Sequence, residues 1–302
     1  MKAAVCERYG PPEVLKIVDL PKPSPKPTEV LIRIYATSVN SGDVRVRGLL
    51  VDGWIKPLMR VVIGMRGPRN PILGASLSGE VVQVGEQVTT FKVGDRVCAM
   101  TGFRMRCYAE YTTLSAEKCI AHIPDTMTYE EGASLPFGVT TAYHFLRKAQ
   151  VERAKTVCIY GASGAVGTAA VQIAKSYGCF VTTVTSLENI ELMKQLGADE
   201  AISYKQADWA TRLGTFDLVF DAVGKLSKED RARLMHETTK FTSIHGKGTA
   251  AERKEDLEAA GRLFVQGQFQ PVIDRIYPIE DIVEAHRYAE SWRKKGNVIL
   301  TI

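Results

Sequence analysis

The sequence lacks the features that mark a membrane-spanning, secreted or nucleic-acid-binding chain. No stretch reaches the ~20 apolar residues of a membrane span, and the opening MKAAVCERYG has no apolar run long enough for a signal peptide. The net charge is a modest +5 and no block of about five like charges occurs. We therefore expect a cytoplasmic protein with neither nucleic acid nor a membrane as its partner.

Closely spaced cysteines are also missing. The six cysteines form no Cys-x-x-Cys pair, and several lie inside apolar runs such as VCIY. This usage predicts reduced, buried thiols. What the chain does have is 302 residues, 45% of them hydrophobic, which is enough for a large core and suggests about two domains.

The N-terminal third has the pattern of β-strands. EVLIRIYATSV (29–39) is rich in apolar and β-branched residues, and the stretch 77–100 contains two similar runs separated by glycine turns. The proline-rich PKPSPKP (21–27) predicts an extended surface connection. We expect a β-rich domain here.

The pattern changes near residue 130. A helical period continues on both sides of Pro136, and apolar strands then alternate with helices from TVCIY to FDLVFDAVG. This alternation predicts parallel strands with right-handed crossovers, hence a doubly wound sheet and an α/β fold. A helix over 251–268, then a strand, a helix and a final strand NVILTI, complete the expected order.

The stretch IYGASGAVG (159–167) joins the first of these strands to a helix. Its glycines allow a tight turn, and backbone amides at the start of a helix attract a pyrophosphate. An ordinary strand-to-helix turn explains the glycines equally well when the loop is taken alone. In the context of the alternating sheet, the pattern predicts a dinucleotide site formed by Gly161, Ala162, Ser163, Gly164, Ala165 and Val166.

The second strand bears on which dinucleotide binds. It ends VTTVTS, with no acid before Glu188, whereas an NAD site places a carboxylate there for the ribose hydroxyls. Ser186 and Tyr204 can instead donate hydrogen bonds to a 2′-phosphate. The pattern favours NADPH over NADH, and the alternative is that both residues are ordinary strand ends.

Taken together, these motifs resemble the medium-chain dehydrogenase/reductase superfamily, in its zinc-independent, quinone oxidoreductase-like (zeta-crystallin-like) branch. The similar segments span nearly the whole chain: the opening 25 residues, ATSVNSGDVRVRG, ILGASLSGEVVQVGEQVTTFKVGDRV, YAEY, SLPFGVTTAYHFL, YGASGAVG, LGADEAISY, DAVG and GNVILTI. The resemblance implies a GroES-like β-rich catalytic domain over 1–122, completed by about 271–302. It also implies a Rossmann nucleotide-binding domain over 123–270, with a parallel sheet, and a cleft between the two domains.

The resemblance also bears on metal content. Family members with catalytic zinc carry a cysteine where Asn40 stands and a histidine in the stretch that here reads GASLSG. Only Cys98 and Cys107 lie where the second, cysteine-rich lobe would be, too few for a tetrahedral site. We expect no zinc and no other metal.

Site residues follow from the same resemblance. Asn40 and Asp43 match the family's active-site loop and are expected to grip the reacting groups, although Asp43 could instead cap the helix of VRVRG. The nicotinamide end is expected to contact Thr141, Val223, Gly224 and Asn297. His144, His286, Tyr35 and Tyr108 are expected to be structural.

Three departures from the family pattern stand out. Ser76 replaces an aspartate and is expected to loosen a local hydrogen-bond network, and Asn297 replaces a lysine. The connection over 238–250 is shorter than usual in the family, where it often carries a pairing edge. A homodimer is therefore left open.

The segment 49–71 is apolar and resembles an insertion. It predicts either a lid over a hydrophobic acceptor or a surface helix whose apolar residues pack on the β domain. The residues concerned are Trp54, Leu58, Met59, Val61, Val62 and Met65.

The function expected from these features is NADPH-dependent, metal-free hydride transfer to a small hydrophobic acceptor, a quinone or an α,β-unsaturated carbonyl compound. One alternative is an NAD(P)-dependent alcohol dehydrogenase. The other, from a different class, is a protein that binds NADPH as a sensor or interaction module without turnover.

Overall fold

The computed structural model describes residues 1–51, 53, 56–245 and 250–302. The chain divides into two compact units. Unit 1 comprises Met1–Phe137 and Ile273–Ile302, and unit 2 comprises Gly138–Val272. The first division falls inside a long helix, because the beginning of that helix packs with the β-rich unit: Ala133 clusters with Ala36 and Ile299.

The described strands and helices follow in chain order. The strands are β1 (Lys2–Cys6), β2 (Leu15–Asp19), β3 (Glu29–Ser38), β4 (Ser76–Val84), β5 (Arg96–Met100), β6 (Tyr111–Ser115), β7 (Ile120–His122), β8 (Thr156–Tyr160), β9 (Phe180–Thr185), β10 (Glu200–Ser203), β11 (Phe216–Asp221), β12 (Met235–Ser243), β13 (Ile273–Pro278) and β14 (Asn297–Thr301). The α-helices are α1 (Ser41–Gly48), α2 (Lys56–Ile63), α3 (Tyr129–Lys148), α4 (Ala165–Ser176), α5 (Ile190–Gln195), α6 (Lys228–Arg233), α7 (Lys254–Val265) and α8 (Ile282–Glu290).

Unit 1 is built around a seven-stranded sheet. Its order is β13-β14-β3-β4-β5-β7, with β6 pairing the other part of β3. The long strand β3 is buried along its length except at Arg33 and Tyr35, so both of its faces are covered. The C-terminal strands β13 and β14 join this sheet, so the last thirty residues belong to the first unit.

Unit 2 contains a five-stranded parallel sheet in the order β10-β9-β8-β11-β12. Strand order reverses between β8 and β11, which is the point where open α/β sheets bind their ligands. Helix α4 follows β8, and all of Ala165–Ala174 is buried. Small residues such as Ala169 and Ala170 allow this helix to pack closely on its surroundings.

The expected sequence of elements is largely confirmed. The strands expected over 29–39 and 77–100 are β3, β4 and β5, and one helix, α3, continues through Pro136. Strand β12 was not expected, because its sequence MHETTKFTS is mostly polar and exposed. It forms by pairing with the apolar strand β11 at the edge of the sheet.

The thiols behave as the sequence indicated. All six cysteines are free and buried. Burial raises the pKa of Cys6 to about 11 and that of Cys158 to about 12. None of the helices in the described ranges combines the length and apolarity needed to cross a bilayer, and the cytoplasmic location stays a prediction.

Candidate active site

The glycine turn after β8 is closed by a side chain from the loop that follows the neighbouring strand β11. Gly161 has φ +75°, a conformation that favours glycine, and a Cβ there would lie 2.6 Å from Cγ1 of Val223. The amides of Gly161 and Ala162 both donate to the Val184 carbonyl, at 2.9 and 3.3 Å. Gly161 therefore fixes the turn at the junction of β8, β9 and β11.

The other end of the turn presents backbone amides. Gly164 is the N-cap of α4, and a Cβ on it would have only one neighbouring heavy atom, at 4.0 Å. In the first turn of α4, the amides of Ala165 and Val166 have no intrahelical acceptor. Open space beside a glycine cap and free first-turn amides are what a pyrophosphate requires, so this segment fits a dinucleotide.

Helix α3 contacts the same helix start. The backbone of Gly138 packs so closely on α4 that a Cβ there would lie 2.5 Å from the Ala165 carbonyl oxygen. Thr141 is three residues further along α3, on the same face as Gly138, and is partly exposed. The structure thus brings Thr141 to the region of the glycine turn, and its contact with the nicotinamide stays a prediction.

The loop after β11 is organised by a carboxylate that the sequence pattern did not single out. Asp221 accepts hydrogen bonds from the amides of Val223, Gly224 and Leu226, at 3.1, 2.7 and 3.0 Å. These bonds hold Val223 over Gly161. The signal available in the sequence was an aspartate ending a buried strand next to a glycine, which is typical of a side chain that caps a turn.

At the end of β9, Ser186 begins a short helical turn. Its hydroxyl accepts a hydrogen bond from the side-chain amide of Asn189 at 3.0 Å. Glu188 pairs with Lys205 at 3.3 Å. Hydrogen bonds from its own amide and from Ser186, together with Lys205, lower the pKa of Glu188 to about 2. The acid that follows the second strand is therefore charged and paired with a cation.

Tyr204 lies beside this group. Its amide donates to the Thr185 carbonyl at 3.0 Å, so the end of β10 is held next to the end of β9. The ring of Tyr204 is partly exposed and lies 6.3 Å from the ring of Tyr160. Lys205, the cation that pairs with Glu188, was not among the residues expected from the sequence, because a basic residue was sought in the glycine turn and not at the end of the third strand.

In unit 1, Asn40 and Asp43 act on each other. Asn40 is the N-cap of α1, and its backbone amide donates to Asp43 Oδ2 at 2.9 Å, in a capping box. The expectation that Asp43 could be the N-cap is wrong, since the helix begins at Ser41, two residues earlier, and Asp43 takes the third helical position. Both side chains are buried.

The side-chain amide of Asn40 is held on its other side by serines. Nδ2 donates to the hydroxyls of Ser38 and Ser76, each at 3.1 Å. Ser76, expected to loosen a local network, is thus a partner of Asn40. Asn297 is buried at the start of β14, next to this loop, because the Val39 amide donates to the Val298 carbonyl at 2.8 Å. Asn40, Asp43 and Asn297 are therefore brought together within unit 1.

The Asp43 carboxyl is fully buried. Burial raises its pKa to about 7, against the opposing effect of hydrogen bonds from Asn40, Tyr108 and the Gly74 amide. Tyr108 is fully buried, and burial together with Asp43 raises its pKa. The tyrosine that the sequence assigned to packing is thus also a polar neighbour of a site residue.

A second group of buried polar side chains, His286 and Arg47, lies next to Tyr108. The ring of His286 on α8 meets the ring of Tyr108 edge-on, with centroids 5.6 Å apart. Arg47 is fully buried and donates from Nη2 to Glu290 at 2.9 Å. Burial, and then Arg47, lower the pKa of His286 to about 3. We infer that His286 is neutral at physiological pH.

The donor set does not fit a metal. Across the described residues, no group of three or more His, Cys, Asp or Glu side chains could hold an ion. The side-chain amide of Asn40 already donates hydrogen bonds to two serine hydroxyls, and Cys98 and Cys107 are buried in the core of unit 1. The side chains at the positions of the family's zinc ligands therefore lack the donors that zinc requires.

The apolar segment packs on the rest of unit 1 only in part. Its helix is α2, in which Met59 and Ile63 are partly buried and the other residues are exposed. The expectation of a packed surface helix is therefore wrong for Leu58, Val61, Val62 and Met65. Gly64, directly after α2, has φ +147°, and the side chains of Leu58, Val61, Val62 and Met65 are exposed to solvent. Trp54 lies outside the described residues.

Comparisons with known proteins agree with this architecture. A family model described as an alcohol dehydrogenase GroES-like domain matches residues 26–156, and one described as a zinc-binding dehydrogenase matches residues 165–264. A 2-methylene-furan-3-one reductase of Solanum lycopersicum is 31% identical, over 99% of this chain and 79% of its own length.

Solved structures add two further similarities. The quinone oxidoreductase of Coxiella burnetii has 28% identity and a TM-score of 0.86, covering 100% of this chain and 99% of its own. An NAD-dependent alcohol dehydrogenase also has 28% identity, with a TM-score of 0.83 and complete coverage of both chains. The expected fold class, a GroES-like unit and a Rossmann unit, is confirmed.

The chain belongs to the medium-chain dehydrogenase/reductase superfamily, in its quinone oxidoreductase-like branch. It is an oxidoreductase that depends on a nicotinamide coenzyme.

Proposed function

We propose that this protein is an NADPH-dependent, metal-free reductase of quinones or α,β-unsaturated carbonyl compounds. The observation that carries the coenzyme preference is the group at the ends of β9 and β10. Glu188, the acid that would compete with a 2′-phosphate, is paired with Lys205, and Ser186 and Tyr204 lie beside this pair.

The chain's own residues supply binding and orientation. First-turn amides of α4 bind the pyrophosphate, Val223 covers the glycine turn, and Ser186, Tyr204 and Lys205 bind the adenosine end. When bound, the reduced nicotinamide supplies a hydride. Each hydride delivered to a quinone or an activated C=C bond must be matched by one proton from solvent or a side chain.

The residues of unit 1 support acceptors that need no Lewis acid. Asn40, Asp43 and Asn297 form a buried polar group with amides and a carboxyl of raised pKa, but within the described part of the chain they are not accompanied by a set of metal ligands. A carbonyl conjugated to C=C or a quinone is already activated, and neutral polar groups suffice to position it. Asn40 is held by two serine hydroxyls and so is a positioned amide.

The test is steady-state kinetics with NADPH and NADH in parallel, against quinones, enones and medium-chain alcohols. We expect turnover of quinones or enones with NADPH, without added metal and without loss on dialysis against a chelator. Metal-dependent alcohol oxidation would favour the alcohol dehydrogenase alternative, which the similarity to an NAD-dependent alcohol dehydrogenase also supports. Saturable NADPH binding without turnover of any acceptor would favour a sensor.

A substitution at Lys205 tests the coenzyme preference. Lys205→Gln should raise the KM for NADPH about tenfold, the cost of losing one charge-assisted hydrogen bond, and leave the KM for NADH unchanged. The control is Lys194→Gln, which removes an exposed lysine of the neighbouring helix α5, paired with Glu191. Equal effects of Lys205→Gln on both coenzymes would contradict the proposed 2′-phosphate contact.

A further inference from the structure

Helix α2 presents an apolar stripe to solvent. Leu58, Val61 and Val62 have the i, i+3, i+4 spacing of one helix face, and Met65 lies two residues after the end of the helix. The four side chains are between 58% and 66% exposed. Such spacing ordinarily covers a core, but here the stripe has no covering partner among the described residues.

Contacts with the rest of unit 1 fix the position of the segment that carries the stripe. The hydroxyl of Tyr9 donates to the Gly64 carbonyl at 2.7 Å, and the Arg69 amide donates to the Ile63 carbonyl at 2.7 Å. Gly67 packs so closely on the chain that a Cβ there would lie 2.2 Å from the Glu7 carbonyl oxygen. The C-terminal end of α2 is therefore fixed to the body of unit 1.

The charge around the stripe is mainly positive. Lys56, Arg60, Arg66 and Arg69 are all exposed, and after Asp52 the sequence has no Asp or Glu up to residue 79. Glu7, whose carbonyl oxygen lies against Gly67, has an acidic side chain. The positive charge of Arg8, the next residue in the chain, offsets the negative charge of Glu7. The segment combines an apolar face with a cluster of cations.

This charge decides between two occupants. A second copy of the chain, related by two-fold symmetry, would bring the same cations of both copies together without an acid to compensate them. A surface of anionic phospholipid offers negatively charged phosphates to the cations and an apolar acyl-chain layer to the stripe.

We propose that α2 and the residues up to Arg69 form a docking surface for an anionic phospholipid bilayer. Leu58, Val61, Val62 and Met65 enter the boundary between headgroups and acyl chains, and the cations contact lipid phosphates. The low charge of the whole chain gave no such indication, because the effect is local. The proposal is independent of the coenzyme and the acceptor.

The test is flotation of the full chain with vesicles of phosphatidylcholine alone or with about one third phosphatidylglycerol. We expect partition to the anionic vesicles only, falling as salt is raised. Arg60→Gln/Arg66→Gln should weaken partition about 25-fold, from about fivefold per charge. Val61→Ser/Val62→Ser should weaken it on the order of tenfold or more.

Matched controls lie elsewhere in unit 1. Val93→Ser changes an exposed valine of similar exposure, and Lys92→Gln/Lys118→Gln removes the same net charge. Both controls should partition like the original chain. No partition to anionic vesicles, or equal losses in the α2 variants and the controls, would overturn the proposal. A dimer in sedimentation velocity that Val61→Ser/Val62→Ser dissociates, without vesicle binding, would overturn it in favour of a second copy.

Discussion

Replacing His286 should remove a large part of the protein's sensitivity to acid. The imidazole is fully buried, and neither ring nitrogen has a hydrogen-bond partner in the part of the chain that the structure describes. The side chain meets Tyr108 edge-on and lies near the charge of Arg47. A proton on this ring is therefore disfavoured in the folded protein.

The size of the effect follows from linkage. The pKa of His286 is lowered from 6.5 to about 3, so between these values the unfolded chain binds a proton that the folded chain does not. Stability therefore falls as the pH drops below 6.5. At 1.36 kcal/mol per pKa unit, the loss is about 2 kcal/mol at pH 5 and at most about 5 kcal/mol near pH 3.

The assay is urea unfolding of the original chain, His286→Leu and His286→Gln at pH 7.5 and pH 5. Neither variant titrates there, so both should gain about 2 kcal/mol relative to the original chain on going to pH 5. Asp43, whose pKa is raised and which acts in the opposite direction, is present in all three proteins and cancels in the difference. At pH 7.5, Leu should be no worse than Gln, since it leaves no buried polar atom unpaired. A difference from the original chain that is the same at both pH values would refute the reasoning.

Three further outcomes are expected. Gly161→Ala should cost about 2–4 kcal/mol of unfolding free energy, from its positive φ and the overlap with Val223, and weaken coenzyme binding, whereas Gly178→Ala, with φ +77° and open space, should cost only about 1 kcal/mol in urea unfolding. Asp221→Asn should weaken coenzyme binding in calorimetry about tenfold; Asp217→Asn, which loses backbone bonds at the opposite end of β11, should reduce stability alone, and equal affinities in the two would contradict this. The folded protein should leave its six thiols unreactive toward a chromogenic disulfide at neutral pH and expose all six in denaturant, so rapid reaction of the native form would count against their burial.

Local pattern was sufficient for most of the fold and for half of the candidate site. Apolar alternation and its change near residue 130 predicted strands β3 to β5 and the parallel sheet, because burial of one face imposes its own period on the sequence. The glycine turn over 161–164 was also visible, since positive φ and free helix amides are properties of neighbouring residues. Asn40 and Asp43 were predicted through the family motif, and a cap was considered at Asp43 but not at Asn40, which is the N-cap of α1.

The tertiary structure decided the contacts between residues that are far apart in the chain. Ser76 bonds to Asn40 across 36 positions, and Lys205 pairs with Glu188 only because β9 and β10 lie side by side. The polar strand β12 exists because β11 offers it an edge. Helix α2 has the sequence of a core-facing helix and yet faces solvent. A periodic pattern specifies that a face is apolar, but only the packing of the surrounding chain determines what, if anything, covers it.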